Sequence, residues 1–370
     1  MDIYVLDQNL VRQGLIERYE SMVWTERWRE LGDFQLTLPY FLTDKIKLRL
    51  EQFLWIPESD RLMMIESIEV VNTGRTKSVT VKGRSSEFIL GERLANPLGT
   101  TGTPGRTQIV TGQPHSLMNA LIRAAVMNGA NAVHVHDQVP VITGEGGRVG
   151  SIPLPTVTHT LEKKINQTAL DHILALASEY NIGFEFRLTI VNGGSNYITF
   201  NTYTGNDRRQ GNGVNGAVLF DGALGTLTDT RTFMSLIGHK NTMYAYGKNM
   251  REIRTSPSYR SSTGWSRRVG VVDVSSEDPG TFTIEEQRIL LIAEGIKEMM
   301  KKRLIWMVDG APDQTNDIVV YKKHYHLGDI VQVVDEDRIV TDVRVVEHMF
   351  VSDGEGDRSY PAFQIENPWD

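Results

Sequence analysis

Short runs of alternating apolar and polar residues recur at both ends of this chain and constrain its fold more than any other feature. The clearest run is Gly32–Pro39. Within it, Phe34, Leu36 and Leu38 would share one face of a strand, and the polar residues between them would occupy the other. The chain holds 33 glycines against 13 prolines, a balance that suits many short strands joined by turns. We therefore predict a mainly β protein of the α+β class.

The same pattern predicts few helices. Apolar residues spaced three and four apart indicate helices over Ser116–Met127 and Ala169–Tyr180 and a longest one over residues 283–303. Thr283 and Glu286 have the spacing of a capping box at the start of that last helix. The other predicted elements are a short helix over Ser85–Leu94 and strands over Ile3–Leu6, Phe53–Pro57, Leu62–Val71, Ser78–Lys82, Phe184–Ile190, Tyr197–Tyr203, Val218–Phe220, Asn241–Gly247 and parts of 318–366.

Changes in pattern divide the chain into four predicted domains. A stretch from Asn96 to Pro114 with three prolines and four glycines marks the first boundary. The short strands before it suggest a small barrel or sandwich. The predicted domains are an N-terminal β-domain over 1–95, a middle domain with two helices over 96–183, a strand-rich middle domain over 184–255 and a C-terminal β-domain over 256–370 that includes the helix of residues 283–303.

Composition and charge exclude several classes of protein. Cysteine is absent, which excludes disulfides, thiol catalysis, iron–sulfur clusters and zinc sites with cysteine ligands. Lys and Arg number 39 against 46 Asp and Glu, and the net charge of -7 excludes a uniformly basic nucleic-acid clamp. No apolar run approaches the ~18–20 residues of a membrane-spanning helix. The N-terminal sequence MDIYVLDQNL lacks the regions of a secretory signal, so we expect neither feature.

Two His-x-His pairs could contribute to a metal site, because residues two apart on a strand project from the same face. His134 and His136 form one pair, and His324 and His326 form the other. A metal site needs a third or fourth ligand, and no HExxH motif is present. Histidines near surface turns are the more ordinary interpretation. We therefore assign no catalytic residue, no cofactor-binding residue and no metal ligand.

Two glycine-rich segments have the letters but not the context of a phosphate loop. Gly144–Gly150 is followed by prolines rather than by a helix, and Gly211–Gly216 leads into the strand-like Val218–Phe220. Both therefore lack the helix N-terminus that binds a phosphate. No G-x-S-x-G or S-x-x-K motif is present, so no cofactor and no enzymatic activity are predicted. The wider segment Gly205–Gly216 is predicted to be an exposed loop.

Acidic pairs offer a weak argument for a hydrolase. Glu26 with Glu30, or Glu66 with Glu69, could be imagined as the two carboxylates of such an enzyme. Acids that are solvated or paired with bases at the surface are the more ordinary interpretation of both pairs.

Aromatic residues suggest either cores or contact surfaces. Trp24 and Trp28 lie four apart, so on one strand both indoles would point to one core or one interface. A second aromatic feature is a basic loop that could contact a subunit, a partner or a nucleic acid. We favour a subunit or partner, because the net charge of the chain is -7. This loop contains Tyr259, Arg260, Trp265, Arg267 and Arg268.

Four blocks of sequence stand out when their order and spacing are taken together. They are Tyr19–Arg27 with Gly32–Pro39, Ile65–Glu69 with Val79–Ser85, Tyr259–Arg260 with Gly264–Arg268 and Val272–Asp273, and Leu327–Val331 with Val345–Glu347 and Tyr360–Phe363. In this order the blocks resemble the siphophage tail-tip hub proteins, also called baseplate hub, minor tail or tail-associated proteins. The resemblance extends from about residue 3 to residue 366.

The resemblance implies a hub fold shared with contractile-tail phages. Two small tube-type β-barrel domains, one near each end, would flank middle α/β and β-rich domains. Three copies would place six barrels around an axis, continue the tail tube and form a channel for DNA ejection. Longer relatives carry C-terminal lytic or fibre-like domains, whereas this sequence stops about ten residues after Tyr360. That departure removes the usual place for a hydrolase.

Partners and location follow from the same resemblance. A homotrimer would contact the distal tail protein above, the tape-measure protein in the lumen and receptor-binding or tail-fibre proteins outside. DNA would pass without specific binding if the lumen is not basic, because such a lumen would not capture phosphates. The protein would be made in the host cytoplasm and work in the virion, at the tail tip of a siphovirus during host attachment. The alternatives are a tail-tip cell-wall hydrolase and a carbohydrate-binding module.

Overall fold

A computed structural model describes most of the chain. The described residues are 1–41, 47–74, 76–95, 107–127, 138–147, 150–164, 167–212, 215–248, 251–255, 263–274, 283–302, 305–311, 318–335 and 338–366. Strands predominate in these ranges, which confirms the mainly β fold of the α+β class. Of the helices in these ranges, none combines the length and the apolar character needed to cross a bilayer.

The first β-block is an antiparallel arrangement of seven strands with its own core. The alternation predicted for Gly32–Pro39 is confirmed, because Phe34, Leu36 and Leu38 are all buried there beside Trp24. A 3-10 helix over Ser86–Glu92 follows the last strand. The strands are β1 (Ile3–Leu6), β2 (Arg12–Ile16), β3 (Ser21–Arg27), β4 (Asp33–Pro39), β5 (Phe53–Trp55), β6 (Met63–Asn72) and β7 (Lys77–Ser85), and their order in the sheet is β3-β4-β7-β6-β5-β1-β2.

The middle part packs two helices against two small sheets. Its elements are β8 (Thr107–Gly112), α1 (Pro114–Ala125), β9 (Ile142–Gly147), β10 (His159–Lys164), α2 (Ala169–Tyr180), β11 (Gly183–Thr189) and β12 (Tyr197–Tyr203). Strand β12 pairs antiparallel with β11 and parallel with β9, while β10 pairs with β8. Helix α2 begins with a capping box between Thr168 and Asp171 and ends at Asn181, which adopts a left-handed conformation. Both predicted helices are confirmed.

The second β-block has a separate core around Phe220, Val333 and Phe363. Its strands are β13 (Leu219–Asp221), β14 (Thr228–Ser235), β18 (Ile305–Ala311), β19 (Ile330–Val334), β20 (Val340–Asp353) and β21 (Gly356–Ile365). Strand β19 lies between β13 and β20, and β21 lies between β20 and β18.

A small unit interrupts the second block between β14 and β18. It contains β15 (Thr242–Tyr246), β16 (Arg251–Thr255), β17 (Val269–Asp273) and α3 (Ile284–Lys301). Strand β15 is central, antiparallel to β16 and parallel to β17, and α3 packs on this sheet. The capping box predicted between Thr283 and Glu286 is confirmed at the start of α3.

The two β-blocks are joined into one sheet of 13 strands by the pairing of β3 with β20. The register runs from Glu347 opposite Arg27 to Ser352 opposite Met22. Arg27 Nε donates to Glu347 Oε2 at 2.6 Å, which supports the pairing with an ion pair. Within the described residues the main path of this sheet ends at β2 on one side and at β14 on the other.

The division into four domains stays a prediction. Strand pairing nevertheless runs across two of the expected boundaries. Strand β12 pairs with β9 across the boundary at residues 183 and 184, and β17 pairs with β15 across the boundary at residues 255 and 256.

Candidate functional site

Trp28 lies where the first β-block, the middle part and the second β-block meet. Its side chain is 1% exposed. The guanidinium carbons of Arg29 and Arg344 both lie 4.7 Å from the indole centroid. Gly183 and Gly328 pack so closely that a Cβ at either position would lie 2.1 Å or 2.7 Å from indole atoms. The ring therefore contacts two cations, and it packs against two glycines that no larger residue could replace without movement.

Backbone hydrogen bonds fix the same junction. The Trp28 N–H donates to the Val346 carbonyl at 2.8 Å, and the Trp28 carbonyl accepts from the Phe184 N–H at 3.1 Å. Arg344 Nη1 donates to the Thr204 carbonyl at 2.8 Å. One residue thus connects all three parts of the chain through its main chain and its ring.

The buried carboxylate of Asp329 holds the segment that follows β12. It accepts from the backbone N–H groups of Asn206 at 2.7 Å and His326 at 3.0 Å, and from Arg208 Nε at 2.6 Å. Burial opposes ionisation, but the hydrogen bonds from His326 and Arg208 outweigh it and lower the pKa of Asp329. The prediction that Gly205–Gly216 is an exposed loop is therefore wrong for residues 205–209, which are buried or half-buried against the second β-block.

A second buried polar cluster lies near this junction. Glu26, on β3, accepts hydrogen bonds from Ser59 Oγ and, at 2.7 Å, from the Tyr321 hydroxyl. Arg61 Nη1 lies 3.7 Å from Glu87 Oε1, and both side chains are almost fully buried. Arg61 also donates to a β11 carbonyl at 3.2 Å, and Glu87 accepts from a β11 N–H at 2.8 Å. Charged groups of the first block thus bond to the middle part and to the second block, and these bonds help to fix the relative position of the three parts.

His348, on β20, is fully buried beside this cluster. Its ring stacks on Tyr321 with centroids 3.8 Å apart, and its Nδ1 lies 3.4 Å from the Tyr325 hydroxyl. Burial, with a smaller contribution from the charge of Lys322, lowers the pKa of His348 to about 3. The imidazole is therefore neutral in the folded protein at any physiological pH.

This burial predicts a specific loss of stability in acid. Because the pKa of His348 is about 3 in the folded state and about 6.5 in the unfolded state, the unfolded chain binds more protons between these values. The stability that neutral His348 contributes is complete above about pH 6.5 and is lost as the pH falls through this window, by up to about 1.4 kcal/mol per unit. Urea unfolding from pH 7 to pH 4 should therefore show a flatter stability profile for His348→Phe than for the wild type. Parallel profiles would contradict the assignment.

The two histidine pairs have different outcomes. His134 and His136 lie outside the described residues. His324 and His326 lie in the turn before β19, where His324 Nδ1 accepts from the Val320 N–H at 2.9 Å. Among the described residues, no group of three or more His, Asp or Glu is arranged to hold a metal ion.

The acidic pairs lie in unlike environments. Glu26 is buried in the polar cluster, whereas Glu30 is exposed. Glu66 accepts a bidentate ion pair from Arg84 at 2.8 Å and 2.6 Å, and Glu69 is exposed on the same strand. Glu26 and Glu66 therefore have hydrogen-bonding partners, while Glu30 and Glu69 are exposed to solvent. In neither pair do the two acids share an environment.

The two tryptophans are both core residues, as the more ordinary interpretation holds, but the prediction of a single core is wrong. Trp24 belongs to the core of the first β-block and Trp28 to that of the second. The reason is that β3 ends at Arg27. Trp28 lies beyond the strand, so strand alternation no longer sets the direction of its side chain.

The glycine-rich segments hold no phosphate-loop geometry where they are described. Gly144–Gly147 lie within β9, which runs parallel to β12. Residues 148–149 and 213–214 lie outside the described residues.

The basic aromatic loop is partly described. Tyr259 and Arg260 lie outside the described residues, whereas Trp265 is fully exposed and Arg267 is exposed beside it. Arg268 is half-buried. This side of the loop is therefore available for contact.

An open apolar edge is the surface that sequence reasoning missed. Strand β14 pairs only with β18 among the described strands, and its end exposes Phe233, Met234 and, just beyond it, Ile237. Threonine, which is enriched in strands, recurs at every second position over Thr228, Thr230 and Thr232, and this pattern could have indicated the strand. Unpaired strand edges with apolar side chains are typical sites of assembly.

Comparisons with known proteins agree with this description. A protein family described as "Siphovirus ReqiPepy6 Gp37-like protein" matches residues 2–358 of the chain. No curated protein sequence matches it significantly.

Solved structures show the same fold at low sequence identity. The tail protein from Neisseria meningitidis MC58 is 10% identical with a TM-score of 0.61, and the comparison covers 99% of this chain and 97% of the other. The prophage MuSo2 43 kDa tail protein from Shewanella oneidensis is 12% identical with a TM-score of 0.61, covering 100% and 99%. The prophage tail protein gp18 from Listeria monocytogenes EGD-e is 14% identical with a TM-score of 0.53, covering 99% and 95%.

Proposed function

The chain belongs to the siphovirus ReqiPepy6 Gp37-like protein family and is a tail component of the virion, and from this premise we propose that it is the hub of a phage tail tip. In this proposal three copies form a closed ring that continues the tail tube. The ring connects the tube to the tip proteins and serves as the channel for DNA ejection. Receptor contact at the tip would shift an interface between copies and open the channel.

The observation that carries the proposal is the presence of two β-blocks side by side in each chain. Each block has its own apolar core, and the β3–β20 pairing fixes one block against the other. Two such units per chain would give six in a trimer, as a sixfold tail tube requires. The proposal takes each block to be a tube-type barrel unit of the ring.

The open edge of β14 supports assembly. An exposed strand edge with apolar side chains is a liability in an isolated chain, and pairing with a neighbouring copy in a closed ring would remove it. We assign β14 to the contact between copies.

The other partners belong to the same proposal. The distal tail protein would lie above the ring, the tape-measure protein in its lumen and receptor-binding or fibre proteins outside it. An overall net charge of -7 suits a channel that passes DNA without retaining it. The proposal gives the protein no catalytic role, and zymography on purified cell wall would reveal a hydrolase.

The test is the oligomeric state. We expect wild-type protein to form a trimer with a hollow axis, measured by light scattering and by electron microscopy. Met234→Lys places a charge on the β14 edge and should raise the dissociation constant of the trimer at least about tenfold, equivalent to about 1.4 kcal/mol. Because Met234 is 60% exposed, the fold should remain intact.

Ile190→Lys is the matched control, since Ile190 is also exposed but follows β11 in the middle part. It should leave the trimer unchanged. A wild-type protein that stays monomeric at high concentration, with no ring in assembled tails, would overturn the proposal.

A further inference from the structure

Trp265 is a fully exposed tryptophan on an anchored turn. It lies in the 3-10 turn Gly264–Ser266, before β17. The buried side chain of Asn241 holds both flanks of this turn: its Nδ2 donates to the Ser266 carbonyl at 2.8 Å, and its Oδ1 accepts from the Arg268 N–H at 2.8 Å. The indole is thus presented to solvent from a fixed backbone, which is how tryptophan acts as a preorganised anchor in interfaces.

One side of the sheet beside Trp265 exposes apolar side chains. Met243 and Ala245 of β15 are buried, whereas Tyr244 lies on the opposite side by strand alternation. Val271 of β17 is opposite Tyr244 in the register and is exposed, as is Val269. These residues, with Arg267, which donates to the Tyr244 hydroxyl at 3.2 Å, form what we call the Trp265 face.

Charge is distributed unevenly between this unit and the rest of the chain. Residues 238–303 contain twelve Lys and Arg against eight Asp and Glu, whereas residues 304–370 contain five against fourteen. The small unit is therefore basic, and the chain segment that follows it is strongly acidic. Two copies of the chain would attract each other if the basic unit of one met the acidic block of the other.

An apolar patch on the acidic block fits that arrangement. Leu224, Ile339 and Val340 are all exposed, and strand pairing brings them to one end of the block, because β19 pairs with both β13 and β20. In sequence the residues before Ile339 are Asp335-Glu336-Asp337-Arg338, and Arg338 is paired with Asp221 at 2.9 Å. We call Leu224, Ile339 and Val340 the Ile339 face.

We propose that the Trp265 face of one copy binds the Ile339 face of a second copy. The proposal rests on the assembly in the proposed function and names a contact within it. The two faces differ, so the contact is heterologous and can repeat around an axis until a ring closes. Apolar side chains supply the centre of this contact, and the charges around them set its orientation.

Two variants and their mixture test the contact. Trp265→Ala disables the Trp265 face, and Ile339→Lys disables the Ile339 face. Each variant should raise the dissociation constant of the trimer at least about tenfold, measured by analytical ultracentrifugation. Each variant keeps the opposite face intact. At a protein concentration where each variant alone is monomeric, an equimolar mixture should therefore form a 1:1 heterodimer through its one intact pair of faces and no closed ring. Ile190→Lys again serves as the control.

The outcomes separate this inference from the proposed function. A wild-type trimer that both variants leave unchanged would overturn the contact while the hub role stands. A wild-type protein that never forms a trimer would overturn the hub role first. If both variants weaken the trimer but their mixture restores no dimer, the two faces do not bind each other. A photo-crosslinking residue in place of Trp265 should label residues 304–370 of another copy, and labelling elsewhere contradicts the proposal.

Discussion

Replacing Trp28 with alanine should lower the free energy of unfolding by about 3–5 kcal/mol, the range for removing a large buried aromatic side chain. The cavity would open where the first β-block, the middle part and the second β-block meet. Arg29 and Arg344 would lose the ring that both of them contact. Gly183 and Gly328 approach the indole closely and would be left beside an empty space. Urea unfolding followed by circular dichroism measures the change.

Trp265→Ala is the matched control for Trp28→Ala, since it removes the same side chain from a fully exposed position. At protein concentrations below the dissociation constant of the trimer it should change the free energy of unfolding by less than about 0.5 kcal/mol. Equal losses in the two variants would show that the junction does not depend on the buried indole.

Replacing Asp329 with alanine should cost about 3–5 kcal/mol, because it leaves the guanidinium of Arg208 without its buried counterion. The backbone N–H groups of Asn206 and His326 would lose their acceptor at the same time. Residues 205–209 should detach from the second β-block, so limited proteolysis should cut there in the variant and not in the wild type. Asp329→Asn keeps the shape and should retain part of the stability.

Glu66→Ala provides the comparison with an exposed ion pair. Glu66 binds Arg84 in a bidentate pair of similar length, but both side chains are partly exposed. Its loss should cost about 0–1 kcal/mol, as is typical for surface pairs. If Asp329→Ala and Glu66→Ala lowered the free energy of unfolding by similar amounts, burial would not be what makes the Asp329 contacts stabilising.

Local pattern predicts the elements of this protein well. The alternation in Gly32–Pro39 places three buried side chains on one face of β4, and the spacing of Thr283 and Glu286 locates the start of α3 within one residue. These predictions succeed because strand alternation and helix capping depend on residues that are close in sequence. The family resemblance is confirmed as well, since a family of siphovirus proteins matches residues 2–358.

Contacts between distant residues are what local pattern could not predict. Nothing near Asp329 in sequence indicates that its carboxylate binds residues 206 and 208, so Gly205–Gly216 reads as a loop until the fold is known. The sequence predicts Glu26 as a surface acid, but in the fold Glu26 is buried and accepts hydrogen bonds from Ser59 and Tyr321. Trp28 reads as a neighbour of Trp24 because the end of β3 at Arg27 leaves no strong signal. Each of these depends on a partner that is far along the chain.

The pairing of β3 with β20 also governs when the protein can complete its fold during synthesis. The Arg27–Glu347 contact joins residues 320 positions apart. At about 5–20 residues per second on the ribosome, the wait for β20 is on the order of tens of seconds. For that time one edge of the nascent N-terminal sheet has no native strand beside it. Such a high contact order slows folding and makes chaperone protection of the growing chain valuable until translation reaches β20.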